Sequence, residues 1–329
     1  LDAVNNGGGG GENPFDVFGN IFSQSNGFDN MFNMGSQTRT HRTKKRVSPN
    51  IKKNLDITLE DVYCKRKFNL NFEKTIKCIE HLLYNESKSL IIEIFISDSS
   101  IINTSEGILR NKFPNIFYEK VNENVYWNKG MINSWKNSVK SNPDFFLLLN
   151  DDTFLVKGAL NKMLKEYKDI KEPAIIVGAT SQQNEITYGG RVNNLKEFPL
   201  VPNNSIQEIK YINGNCVLIS KCVFNKVGYL NEKFSHSLGD IDYGLRAKKI
   251  GIKSYLSGEV VGECRKNINI WYGKKTFLER FKELNSPKGV PIKEYFYFNY
   301  FHFGLFSGIR FILATTIALI FPKLYKLLR

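Results

Sequence analysis

The apolar run Phe145 to Leu149 ends abruptly in Asn150, Asp151 and Asp152, with Thr153 next. Two adjacent carboxylates beside a hydroxyl suit a hard divalent cation, which takes oxygen ligands and often brings a substrate's phosphates with it. An Asx-rich turn after a strand uses the same residues, and this segment alone leaves both readings open. A second acidic cluster, Gly239-Asp-Ile-Asp-Tyr-Gly-Leu-Arg246, stands where a helix should begin. An acid there can cap the helix or favour its positive end, the role expected of Asp242. Asp240, beside His236, is a candidate general base that could accept a proton from an incoming hydroxyl. His236 is a candidate acceptor contact or a plain loop histidine. Arg246 is expected to pair with a helix-start carboxylate in preference to a phosphate.

The elements that must position these groups alternate. Ile76, Ile79, Leu82 and Leu83 share one helical face, and Ser89 to Ile96 reads as a buried strand running into Asp98. Helices are expected around Thr104 to Asn111 and Asn128 to Val139, with a strand from Asn115 to Lys120 between them. Phe145 to Leu149 is short and apolar enough for the middle of a parallel sheet. This β-α-β-α-β order predicts an α/β fold with a mostly parallel sheet and helices on both faces. Ligands of such sheets bind beyond the carboxyl ends of the strands, so Asp98 and Asp151/Asp152 are expected to face one crevice.

These motifs, in this order, resemble a family 2 glycosyltransferase of the GT-A fold, rhamnosyltransferase-like, over about residues 73–300. Ile94-Phe-Ile-Ser-Asp98-Ser-Ser resembles the strand and acid that contact the nucleotide base, and Trp127-Asn-Lys-Gly-Met-Ile-Asn133 the segment beside the donor. Leu149-Asn-Asp-Asp-Thr153 resembles the metal-binding motif. Tyr188-Gly-Gly190 and Asn213-Gly-Asn-Cys-Val217 resemble acceptor-side elements, and Gly239 to Arg246 the catalytic-base motif. The resemblance implies donor contacts by Asp98, Ser99, Asn133 and Asp151, and a Mg2+ or Mn2+ contact by Asp152. It implies acceptor-side roles for Gly190, Gly214, Asn215 and His236, and proton abstraction by Asp240 with inversion at the anomeric carbon. Two features depart from the family. The usual first strand is replaced by Lys65 to Phe72, whose alternation could fill the slot without the nucleoside-cradling loop. Glu263-Cys264 stands where many relatives place a histidine, so Glu263 is either a substitute oxygen ligand or a solvated side chain.

Residues 1–47 are rich in Gly, Phe and Asn and then basic, a composition expected to stay disordered. With Ser48 to Phe72 they resemble the Gly/Phe linker and the opening of the client-binding domain of a DnaJ (Hsp40) co-chaperone. No His-Pro-Asp triplet or repeated Cys-x-x-Cys-x-Gly-x-Gly motif accompanies them, which argues against an Hsp70 partner. The expectation is a chimera of four parts: 1–47 linker, 48–72 short β segment, 73–264 transferase domain and 265–329 tail. The start at Leu1 fits a truncated chain, and no secretory signal opens it.

The formal charge is +14, and twelve Lys and Arg against three acids fall between Cys264 and Arg329. Aromatics crowd Tyr295 to Phe306, and the apolar run Phe311 to Phe321 is short for a span. The tail is therefore expected to lie on an anionic membrane surface, with a spanning segment or a buried helix pair as the other readings. Nothing resembles a nucleic-acid-binding motif. Five cysteines without ligand spacing point to reduced thiols in the cytoplasm. Together these features predict an inverting, metal-dependent transferase peripheral to the cytoplasmic face of a membrane. Its donor would be a UDP- or dTDP-sugar and its acceptor a glycan or lipid-linked hydroxyl. The alternative is a DnaJ-like client-binding fragment or an inactive chimera.

Overall fold

The computed structural model describes residues 72–84, 90–100, 105–266 and 276–323. The DnaJ-like segment and the proposed replacement strand ahead of Phe72 lie outside the described residues. Helix α1 covers residues 72–84. Then follow β1 (Ile94–Asp98), α2 (Ser105–Lys112), β2 (Ile116–Lys120), α3 (Trp127–Ser138), β3 (Phe145–Leu149) and β4 (Phe154–Leu155). After α4 (Ala159–Ile170) come β5 (Ala174–Gln182), β6 (Glu185–Tyr188), β7 (Gln207–Ile209) and β8 (Cys216–Ser220). The chain continues through α5 (Lys221–Val227), α6 (Gly239–Lys249), β9 (Lys253–Glu263), α7 (Phe277–Leu284), α8 (Ile292–Phe303) and α9 (Leu305–Ile320).

The expected helices and strands are present, most within one or two residues and β1 beginning only at Ile94 where the strand was expected from Ser89, but the sheet is not mostly parallel. β1 and β2 form a separate parallel pair. The seven-stranded sheet runs β3-β8-β5-β9-β4, with β6 on β5 and β7 on β9. Within it only β5 and β9 pair in parallel; β3 with β8, β5 with β8, and β4 with β9 are antiparallel. The cause is β8: it enters between β3 and β5 and runs against both, an arrangement no local pattern announces.

Helices do cover both faces. Strand side chains alternate between two cores, as the two-residue period requires. Phe146, Leu148, Ile175, Val177, Val217 and Ile219 meet Ile132 and Trp135 of α3 and Tyr243 and Ala247 of α6. Ile176, Cys216 and Leu218 meet Leu82 of α1 and Leu160 and Met163 of α4. Each such fully buried aliphatic side chain contributes about 1.5–3 kcal/mol. The C-terminal helices belong to the folded unit. Phe298 of α8 is buried with Phe234, Leu238 and Leu245, and Leu319 of α9 packs on Leu284 of α7. Among the described residues, no helix is long and apolar enough to cross a membrane.

Candidate active site

Trp127, at the start of α3, organises the site. Its indole N–H donates to Asn150 Oδ1 at 2.6 Å, and its ring lies against Gly214. The Gly214 N–H donates to Asp240 Oδ2 at 2.7 Å. One side chain thus ties the acidic motif after β3 to the candidate base at the head of α6. The Asn150 N–H also donates to Asn215 O at 3.0 Å, while Asn215 Nδ2 donates to Cys264 Sγ at 3.2 Å.

Position 214 has no room for a side chain. A Cβ there would stand 2.5 Å from the indole and 3.2 Å from the Asp240 Cβ. Gly214→Ala is expected to displace Trp127, to cost about 1–3 kcal/mol by overpacking, and to cut any transfer activity at least tenfold. Thermal melts and initial rates read both effects, and an unchanged rate would remove Trp127 from the positioning role.

Asp240 is held by two backbone donors, Gly214 N–H and its neighbour Ile241 N–H at 2.8 Å. Burial pushes its carboxyl above the usual range, against the lowering effect of those N–H groups and of Arg191. The residue before the helix, Leu238, is in the left-handed region at φ 72°. A branched, non-glycine residue adopts that conformation at a cost of about 1–2 kcal/mol. Its side chain is buried against the core that includes Phe298. Gly239 follows where any Cβ would collide with the Asn128 amide, and Asn128 Nδ2 donates to Asn231 O and Phe234 O. Strain of this kind collects where a side chain must be aimed, and here it aims Asp240.

Asp242, expected to cap the helix or favour its positive end, lies in its first turn but does not cap it. The N-cap Leu238 makes no side-chain cap bond, and the Asp242 carboxylate turns inward. Its Oδ2 accepts from Arg246 Nε at 2.7 Å, and its Oδ1 pairs with His302 Nε2 of α8 at 2.8 Å. Arg246 also donates to Val227 O and Tyr229 O. The expected pairing of Arg246 with a helix-start carboxylate is therefore present.

The acidic pair divides its contacts. Thr75 of α1 donates to Asp151 Oδ2 at 3.1 Å. Asp151 keeps solvent exposure at its edge, yet desolvation by surrounding protein, then the charge of Asp152, raise its pKa. Asp152 Oδ1 meets the Cys264 thiol at 3.7 Å. Burial first, then Asp152, push that thiol up to about 11, so it is a neutral S–H donor. Of the adjacent pair Glu263-Cys264, Cys264 faces the acids and Glu263 is exposed in β9. Among the described residues no group of three or more His, Cys, Asp or Glu side chains is placed to hold a metal. The donor set fits a hard cation only in the manner of Mg2+, bound by one or two carboxylates with the rest of its oxygens from phosphate and water.

The expected donor residues form a neighbouring cluster. Asn133 Nδ2 donates to Ser97 Oγ and Glu119 Oε2, about 9 Å along α3 from Trp127 at 1.5 Å per residue. Asp98 is committed to its neighbours on α2 and β2. It accepts from Ser100 N, Ser105 Oγ, Tyr118 OH and Lys120 Nζ. Burial would raise its pKa, but the bonds from Ser105, Tyr118 and Ser100 outweigh this and hold the carboxyl well below the usual range. Asp98 therefore ties β1 to the start of α2 and to β2, and Ser99 beside it is half-buried. The structure brings Asp151, Asp152, Gly214, Asn215 and Asp240 into one network. Asp98 and Asn133 stay in the adjacent one, joined to it by α3.

On the acceptor side, Gly190 packs against Ile209 and leads into Arg191, which lies within electrostatic reach of Asp240. Burial lowers the Arg191 pKa, and Asp240 opposes that. His236 stacks edge-on against Tyr126; burial, then Lys288, lower its pKa, and its Nδ1 has no partner among the described residues. The Tyr295 hydroxyl of α8 lies near Ser237, and burial foremost pushes it up to about 12. Glu294 accepts from Ser235 N at 3.0 Å. Arg191 and Tyr295 carry no local signal: each reaches Asp240 only through the tertiary fold.

No protein-family model matches the chain. Over 132 residues it is 24% identical to the low-salt glycan biosynthesis hexosyltransferase Agl10 of Haloferax volcanii, covering 38% of this chain. The chain is distantly similar to a glycosyltransferase. The match spans 41% of that relative's length. The crystal structure of S. aureus TarS aligns with a TM-score of 0.47 at 12% identity, over 71% of this chain and 42% of that one.

Proposed function

We infer that this chain transfers a sugar from a nucleoside diphosphate sugar, UDP- or dTDP-linked, to a hydroxyl of a glycan or lipid-linked acceptor, with inversion. The observation that carries this reading is the Trp127 bridge, which links a half-buried carboxylate, Asp240, to the segment that bears the acidic pair, Asp151 exposed and Asp152 half-buried. The hexosyltransferase match supports the reaction class. Asp240 takes the proton of the acceptor hydroxyl as that oxygen attacks the anomeric carbon. The new C–O bond forms opposite the bond to the diphosphate oxygen, which breaks, and the proton passes from Asp240 to solvent. Desolvation raises the basicity of Asp240. Asp152, with Asp151, would hold Mg2+ or Mn2+ together with the donor phosphates, and that cation supplies Lewis-acid neutralisation of the departing diphosphate. Asn133 and Ser99 receive the nucleoside. His236, Arg191 and the Gly190, Gly214 and Asn215 backbones line the acceptor side. The reaction is assigned to the cytoplasmic face of a membrane.

Calorimetry with UDP, dTDP and GDP, with and without Mn2+, tests the assignment. One nucleotide is expected to bind only with the metal, and Asp152→Ala to weaken that binding at least tenfold. Binding of no nucleotide by the folded chain would overturn it.

A further inference from the structure

Helix α9 presents a row of large apolar side chains to solvent. Phe306, Ile309, Leu313 and Ile320 recur at three-, four- and seven-residue spacings on one face, with Phe306 88% and Leu313 60% exposed. The opposite face is fixed. Ala318 and Leu319 are buried against Leu284 of α7, Arg280 Nε of α7 donates to Leu319 O at 2.9 Å, and Phe311 stacks on Tyr295. The stripe is therefore preformed and does not depend on folding at contact. A contiguous apolar face of this kind marks an interaction site.

Charge indicates the occupant. No acidic residue follows Glu294 in the chain, while Arg310 and Lys323 are exposed on and just beyond α9. Sixteen residues of helix reach about 24 Å, short of the roughly 30 Å hydrocarbon core. A helix that is too short to span, apolar outward and free of acids suits the headgroup boundary of an anionic leaflet.

We propose that α9 docks the protein flat on an anionic lipid surface through Phe306, Ile309, Leu313 and Ile320, with Arg310 and Lys323 at headgroup depth. Helix α8 links that surface to the chemistry. It packs on α9 through the Tyr295–Phe311 stack, and its first turn brings Glu294 and Tyr295 to the 235–237 loop beside Asp240. Docking thereby places the acceptor side at the leaflet, and the acceptor class it implies is a lipid-linked glycan. The surface stands without the transferase reading; the acceptor class rests on it.

The test is flotation of the full chain with vesicles of neutral phosphatidylcholine, or of phosphatidylcholine with phosphatidylglycerol. Binding is expected only to the anionic vesicles. Phe306→Glu/Leu313→Glu should reduce it at least tenfold, and Arg310→Gln/Lys323→Gln should reduce it several-fold and weaken its salt dependence. Both pairs are exposed, and an unchanged melt confirms that they fold. Equal flotation of the glutamate variant and the parent, or no flotation of the parent, overturns the proposal. So does a parent dimer in sedimentation that becomes a monomer in the glutamate variant without lipid, because the stripe then serves a second copy. Nucleotide calorimetry on the same samples separates the two readings: lipid binding without nucleotide binding leaves the docking surface and removes the transferase.

Discussion

Asp240→Asn should lose transfer by about a thousandfold, within the range assigned to a general base, while metal-dependent nucleotide binding stays intact. The amide cannot take a proton, yet it preserves volume, and the Asp151/Asp152 pair is held independently by Thr75 and Cys264. Equal loss of nucleotide binding and transfer would remove Asp240 from the base role. The pH profile supplies a second reading. Burial raises the Asp240 pKa, and the base acts only when ionised. The acid limb of kcat/KM is therefore expected above the ordinary carboxylate value of about 4, with activity rising as pH passes through it. The stability effect has the opposite sign. A carboxyl raised in the folded state contributes most below its unfolded pKa and loses that contribution as pH rises through the folded value. At its working pH the protein thus holds an ionised Asp240 against its own stability.

Asp242→Ala, two residues away, should destabilise the fold by about 3–5 kcal/mol, because it leaves the Arg246 guanidinium beside a buried void with its main partner gone. For a domain of this size that is a fall of about 10 °C in Tm. It also removes the 2.8 Å contact with His302, so α8 should loosen with it. Faster amide exchange along residues 292–303 than in the parent would show this. Asp242→Ala/Arg246→Met should recover part of the loss, since replacing both partners by apolar groups removes the orphaned charge. A drop in Tm of under about 2 °C for Asp242→Ala would mean that solvent, not burial, governs the pair.

The contrast between these two aspartates shows how far sequence reaches here. Both stand in one motif at a helix start, and local pattern assigned Asp242 to capping because capping depends only on neighbouring residues. Its actual partner, His302, lies 60 positions away on a helix read from sequence as part of a separate tail. The bounds of the strand Phe145–Leu149 were legible to the residue from its unbroken apolar run, but its place was not: it is an edge strand, antiparallel to β8 and buried only at alternate positions, where the run suggested the middle of a parallel sheet. Helices α2, α3 and α6 were equally legible, since their periodicity and starts are encoded within a few turns. The shared crevice was expected of Asp98 and the acidic pair, which the structure keeps in two adjacent networks, and the link from that pair to Asp240 was not foreseen. The Trp127 indole that joins them, the Tyr295 hydroxyl beside Ser237 and the antiparallel entry of β8 were not foreseen. The sequence by itself determined the helices and strands that flank the acidic motifs and which side chains are candidates for chemistry, because both depend on residue type and short spacing. Only the tertiary structure decided strand direction, the partners of each carboxylate and the docking of α8 against the site, because these depend on contacts between residues far apart in the chain.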